Sequence, residues 1–170
     1  GEVRYQTPAD DNRERATCIV CTTIHYEHPI SVVGTLPVWE DKVLLCRRAI
    51  QPRRDYWTLP AGFMENGETT LEGARRETWE EARARVEDEA LYTIFDLPHI
   101  NQVYMFYLAR LSPPEFAAGP ESLEVALFEE DAIPWEELAF PVVNVTLERF
   151  FADRRHGVFP VHNATLRPGD

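Results

Sequence analysis

The stretch from Gly62 to Ala84, GFMENGETTLEGARRETWEEARA, constrains this chain more than any other part of it. Thr69, followed three residues later by Glu72, is a capping box, and no proline interrupts the run beyond. A helix is therefore predicted to begin near Thr70, with Gly62 and Gly67 in the loop before it. A turn of about 100° per residue puts Leu71, Ala74, Thr78 and Ala82 on one side of that helix and Gly73, Glu77, Glu80 and Glu81 on another. Carboxylates spaced i, i+3 and i+4 repel one another and weaken a bare helix by a few tenths of a kcal/mol per pair, roughly. A divalent cation removes that penalty. Hard oxygen donors at this density suit magnesium or manganese, which keep several waters and accept substrate phosphates as further ligands. Gly73 is expected to leave open space beside the acidic groups. The competing reading is a solvated acidic face, with Arg76 and Glu80 an ordinary i,i+4 pair.

A chain of 170 residues can bury one real core, so one domain with a short appendage is expected: a lead-in over 1–29 and the main domain over 30–170. The net charge of -12 argues against a non-specific nucleic-acid surface, which needs clustered Lys and Arg. No apolar run approaches the ~20 residues of a membrane span, and no signal-peptide core opens the chain, so a cytoplasmic protein is expected. Three cysteines, an odd number, fit a reducing compartment better than a disulfide framework.

Residues 1–17 are polar and charged and read as an exposed or partly disordered lead-in. Cys18 and Cys21 follow at the spacing of a zinc knuckle, with His25 and His28 nearby; two reduced cysteines at a strand end are the alternative. The run from Ile30 to Trp39 predicts a strand in which Gly34 and Pro37 mark a bulge or an edge. Lys42 to Arg48 predicts a second strand, with Cys46 a core thiol. Val86 to Leu97 and Asn101 to Leu111 read as two long antiparallel strands, and a short strand follows within Glu121 to Glu130. Tyr104, Phe106 and Leu108 alternate with Met105, Tyr107 and Ala109, so one set faces the core and the other a cleft or a partner. Pro134 to Leu138 starts a short helix, Val142 to Arg155 forms a final amphipathic helix, and 157–170 is expected to be irregular.

The box stretch resembles the signature of the Nudix family, G-x5-E-x7-R-E-U-x-E-E-x-G-U with U aliphatic, through Gly62, Glu68, Arg76, Glu77, Glu80 and Glu81. Two positions depart from it: Thr78 replaces an aliphatic residue, and Arg83 stands where the helix would stop at a glycine. The resemblance implies an α/β fold, an α/β/α sandwich around a mixed sheet. It also implies magnesium- or manganese-dependent hydrolysis of a nucleoside diphosphate linked to another moiety. Glu77, Glu80 and Glu81, with a backbone carbonyl near Ala61 and Gly62, would hold the ions, and Glu68 and Arg76 would orient them. The resemblance places the general base either on the box helix or on a distant loop, where Glu121 and Glu124 are the candidates, and makes Arg48 the candidate for a phosphate contact. Phe95, Tyr104 and Phe106 are the candidates for contact with a base.

The segment CIVCTTIHYEHP resembles the second knuckle of a zinc ribbon that precedes the Nudix domain in one branch, linked with ADP-ribose and FAD pyrophosphatases. That branch carries a further cysteine pair upstream. The implied substrate is a small nucleotide such as ADP-ribose or FAD, with no nucleic-acid or membrane partner and a homodimer as the candidate assembly. The rival readings are a ligand-binding regulator without turnover, a zinc-ribbon adaptor, and a hydrolase of NADH or nucleoside triphosphates.

Overall fold

Strand pairing opens the chain earlier than its polarity suggests. In the computed structural model, which describes residues 1–168, β1 (Val3–Gln6) and β2 (Arg15–Cys18) pair antiparallel with Val3 opposite Cys18. The short β3 (Ile24–His25) pairs with the other edge of β2. The lead-in is exposed, as expected, but ordered into strands and not partly disordered. Asp11 fixes the turn, accepting the N–H groups of Asn12 and Arg13 at 2.7 and 3.1 Å and pairing with Arg15 at 2.8 Å. The polarity follows from geometry, because a lone three-stranded sheet leaves most of its side chains in water. Among the described residues it shares no strand pairing with the larger sheet.

That larger sheet contains β4 (Ile30–Trp39), β5 (Lys42–Arg48), β6 (Trp57–Thr58), β7 (Ala61–Phe63), β8 (Val86–Leu97), β9 (Gln102–Leu111), β10 (Ser122–Phe128) and β11 (His162–Thr165). Its order is β10-β5-β4-β9-β8-β11, with β6 on β5 and β7 on β4. The β4–β9 and β8–β11 pairs are parallel and the rest antiparallel, so the sheet is mixed. Two helices, α1 (Thr70–Ala82) and α2 (Pro141–Arg154), cover its opposite faces. Alternation along β5 shows this directly: Val43 and Leu45 join Leu36, Leu147 and Phe150 against α2, while Leu44 and Cys46 join Ala82 and Leu111 against α1.

β4 is therefore central, not an edge. Pro37 is tolerated because β7 has ended at Gly34 and β5 begins pairing only at Val38. Gly34 marks a close approach and not a bulge, since a Cβ there would overlap Ala61 and the Pro60 carbonyl. The tail is also more regular than expected, because β11 adds in parallel to the open edge of β8. The Asp153 carboxylate fastens it, accepting from the Tyr92 hydroxyl at 2.8 Å and meeting His162 Nε2 at 2.6 Å.

Thr78, the polar departure in the box, is fully buried, and its hydroxyl donates to the Ala74 carbonyl at 2.7 Å and meets Thr35 Oγ1 at 2.6 Å. The two threonines satisfy one another, one on each element. Thr78→Val is expected to cost about 1–3 kcal/mol by orphaning Thr35, whereas the Thr35→Val/Thr78→Val pair costs much less. Urea unfolding of the four proteins checks this, and a double variant as unstable as the sum of the singles contradicts it.

Candidate active site

α1 begins where the capping box places it: Thr69 Oγ1 accepts from the Glu72 N–H at 3.2 Å and the Glu72 carboxylate from the Thr69 N–H at 2.7 Å. It also stops without a glycine. Arg83 takes the left-handed conformation, φ 50°, and donates its N–H to the Trp79 carbonyl. That conformation costs a side-chain-bearing residue about 1 kcal/mol. The loop between β9 and β10 compensates from outside the helix, Ala117 and Gly119 donating N–H groups to the carbonyls of Ala82 and Glu81 at 2.8 and 2.9 Å.

Arg76 is the hub of the acidic face. Its Nε and Nη2 hold both oxygens of Glu68 at 3.0 and 2.7 Å; Nη1 reaches Glu77 at 2.6 Å and Glu80 at 3.1 Å; and Nη2 also donates to the Phe63 carbonyl at 3.1 Å. The Arg76 hydrogen bonds, with the Glu65 N–H, hold the Glu68 carboxyl at about 2. Glu68 folds back so far that it fills the space expected to be open at Gly73, where a Cβ would stand 2.6 Å from its Oε1 and 2.8 Å from Val33 Cγ2. Gly62 does the same service for Glu77, whose carboxylate a Cβ at Gly62 would overlap.

Glu77 and Glu81 are carboxylates held out of water. Burial raises the pKa of Glu77 despite the attraction of Arg76, and burial pushes Glu81 up to about 8, opposed by a hydrogen bond from the Ala61 N–H at 3.1 Å. The charge of Glu121 pushes both the same way, joined by Glu80 at Glu77 and by Glu77 at Glu81, while Arg48 opposes them at Glu81. The sequence candidates Glu77, Glu81, Glu121, Ala61 and Arg48 are thus brought into one electrostatic neighbourhood, with the more exposed Glu80 beside them on Arg76. Arg48 lies over the Phe140 ring at 5.0 Å, donates its Nε to the Pro52 carbonyl, and influences the half-buried Tyr104 phenol, whose pKa burial raises. Phe140 carries no sequence signal; it is the residue before α2 and becomes a neighbour of the site only through the fold.

Other candidates are placed elsewhere. Glu124 stands across from Arg47, 3.8 Å from its guanidinium and exposed. Phe95 and Phe106 are each 1% exposed and belong to the core under α2, so neither offers a ring to a ligand. The opposite face of β9 is also covered, with the Tyr107 hydroxyl 2.6 Å from Thr70 Oγ1 on α1. Of the three rings proposed to meet a base, Tyr104 alone lies at a partly open position.

At the other end of the chain, Cys18 and Cys21 share a knuckle-like turn: the Cys18 N–H donates to Thr23 and the Thr22 N–H to Cys18, with Thr22 left-handed. A hydrogen bond with Thr23 lowers the Cys21 thiol to about 7, favouring the thiolate a metal needs. His25 pairs with Ala16 in the sheet and His28 stacks on Tyr26. Two thiols are half of a tetrahedral set.

Among the described residues no three His, Cys, Asp or Glu side chains stand in ion-holding geometry as placed. On α1 the reason is visible: Arg76 draws Glu77 and Glu80 to itself, and Glu81 turns to the Ala61 N–H. The donor chemistry nevertheless fits a hard divalent cation, because Glu81 is buried and Glu77 half-buried, and burial raises the pKa of each despite the Ala61 N–H and Arg76. Two surface concavities, one lined by Asp41, Glu129 and Trp135 and the other by Arg75, Trp79 and Arg85, include none of these carboxylates.

A mixed sheet between two helices, one of them bearing a carboxylate cluster organised by a single arginine, defines the class as an α/β protein with an acidic site on one helix. The chain belongs to the Nudix family: residues 28–153 match the NUDIX domain, and residues 1–27 match the zinc-ribbon family that forms the Nudix N-terminal segment. The structure is similar to the crystal structure of a NUDIX hydrolase from Nitrosomonas europaea, at TM-score 0.91 and 51% identity, covering 98% of this chain and 96% of that one. An ADP-ribose pyrophosphatase of Methanocaldococcus jannaschii is 28% identical over 68% of this chain and 69% of its own length. A NAD-capped RNA hydrolase, NudC, of Edwardsiella ictaluri is 30% identical over 80% of this chain and 51% of its own length. The chain spans between 30% and 69% of the lengths of the curated relatives it matches.

Proposed function

We propose that this chain hydrolyses the diphosphate of a nucleoside diphosphate linked to another moiety, most readily ADP-ribose or FAD, giving AMP and the other phosphate. The observation that carries the reading is the convergence of Glu77, Glu81 and Glu121 beside Arg48, with Glu81 buried, Glu77 half-buried and the Glu121 backbone joined to the residue after Arg48. Magnesium or manganese held by Glu77, Glu80, Glu81 and a carbonyl near Ala61 would neutralise phosphate oxygens and make bound water a better nucleophile. The chain's own groups do the rest. Arg48 leaves the Phe140 ring to bind a phosphate oxygen, Arg76 keeps the carboxylates oriented, and Glu121 accepts the proton of the attacking water. As that water's oxygen bonds to phosphorus, the bridging P–O bond breaks and AMP leaves. A zinc ion at Cys18 and Cys21 would need two further donors and has no part in this step.

The M. jannaschii relative supports ADP-ribose, and the NudC relative, a NAD-capped RNA hydrolase, favours a diphosphate of the NAD type, such as NADH, as a second reading. Tyr104 and Phe140 are the rings beside Arg48, and stacking on one of them gains about 1 kcal/mol, too little for strict selection. Overlapping activity is the expected result: kcat/KM for ADP-ribose and FAD within about tenfold of each other, and both above NADH and a nucleoside triphosphate under identical magnesium. Product chromatography should show AMP. A preference for the triphosphate overturns the assignment, and a preference for NADH establishes the second reading.

A further inference from the structure

The segment between β9 and β10 docks on the end of the carboxylate helix, and one glycine allows it. Gly119 is buried, and a Cβ there would overlap the carbonyl oxygen of Glu80, the residue before the one whose carbonyl accepts the Gly119 N–H. Its backbone is not left-handed, so the position demands closeness and not an unusual angle. Beyond it the chain turns sharply, the Ser122 N–H returning to the Gly119 carbonyl at 3.1 Å. The Glu121 carbonyl is then held by the Ala49 N–H at 2.8 Å, next to Arg48. The backbone of the exposed Glu121 is thus held from two sides, by the end of α1 through Gly119 and by Ala49, the residue after Arg48. The charge of Glu121 is felt by both Glu77 and Glu81.

We propose that Gly119 is a positioning residue: its contact with the last turn of α1 sets the placement of Glu121 relative to the carboxylates of that helix. The proton acceptor and the metal-ligand helix are then one rigid unit, although about forty residues of chain separate them. A misplacement on the order of 1 Å in such a unit can cost about 100-fold in rate, so the dock acts on turnover more than on substrate binding. The inference rests on the hydrolase reading and on Glu121 as the acceptor.

The test is a double-mutant cycle on the full chain, with kcat and KM for ADP-ribose under saturating magnesium and the melting temperature of each protein. Gly119→Ala is expected to lower kcat about tenfold or more while KM stays within about threefold. Glu121→Gln lowers kcat further, and the double variant matches Glu121→Gln within about twofold, because the glycine acts through that carboxylate. Pro120→Gly, at an exposed position, loosens the link without touching the dock. It should show the same non-additive pattern at about threefold, and it decides the matter if Gly119→Ala does not fold. Losses that multiply in the double variants, or an unchanged kcat in Glu121→Gln, overturn the proposal. A wild-type chain inactive on every diphosphate substrate removes the hydrolase reading and this inference with it. An active chain with multiplying losses removes this inference alone.

Discussion

Glu81→Gln is expected to lower turnover by at least about 100-fold while leaving the protein folded. The carboxylate sits at 6% exposure between α1 and β7, bonded to the Ala61 N–H and adjoined by the charges of Glu77, Arg48 and Glu121. A glutamine fills the same volume and keeps an acceptor for Ala61, so packing survives; what disappears is a charged oxygen for a divalent ion. Glu77→Gln should behave alike, whereas Glu124→Gln, on Arg47, and Glu72→Gln, in the cap, should stay within about threefold, since a cap is worth about 1 kcal/mol of stability. Chelator should abolish wild-type activity and magnesium or manganese restore it.

Stability supplies a second readout with a definite sign. The folded pKa of Glu81 is raised to about 8, so the folded state holds its proton more tightly than the unfolded chain. Metal-free wild type therefore loses stability as pH climbs from the ordinary carboxyl range to about 8. Glu81→Gln should melt like wild type near the lower end of that window and above it at the upper end. Equal turnover in Glu81→Gln and Glu124→Gln would place the chemistry elsewhere.

How much of this was legible in the residues depends on how local each cause is. The start of α1 was, because Thr69 and Glu72 cap one another within a single turn. Its end was not, because two of the donors that satisfy its carbonyls belong to Ala117 and Gly119, far along the chain. The alternation of β9 correctly separates Tyr104, Phe106 and Leu108 from their neighbours, but which set meets a core depends on where α2 lies. Each set packs on a helix, the first in the core under α2 and Tyr107 of the second against Thr70 on α1, with Tyr104 left partly open. β11, HNAT, has no apolar pattern and exists because β8 offers an unpaired edge. The acidic spacing on α1 pointed to the site, while the hold of Glu68 against Gly73 needed the loop to fold back first.

Arg76→Ala is expected to cost about 100-fold in activity and to lower stability, with Arg76→Lys falling between it and wild type. The guanidinium has five partners' worth of geometry to satisfy: both oxygens of Glu68, one each of Glu77 and Glu80, and the Phe63 carbonyl. An ammonium has three donors on one atom and cannot grip Glu68 in two places while reaching Glu77 from the other side, so charge alone does not rescue the site. Groups that orient metal ligands typically carry 10- to 100-fold effects, roughly, and Arg76 orients two of the proposed ligands at once. The stability loss is about 1–2 kcal/mol, because the bonds are charge-assisted but the arginine remains a quarter exposed. Its pH dependence identifies the partner. The depressed pKa of Glu68, about 2, contributes stability above the ordinary carboxyl range that is lost as pH falls through about 2. The gap in melting temperature between wild type and Arg76→Ala should therefore be widest near neutral pH and narrow steadily on acidification. A gap independent of pH, or an Arg76→Lys variant as active as wild type, would show that Arg76 supports the helix and not the carboxylates.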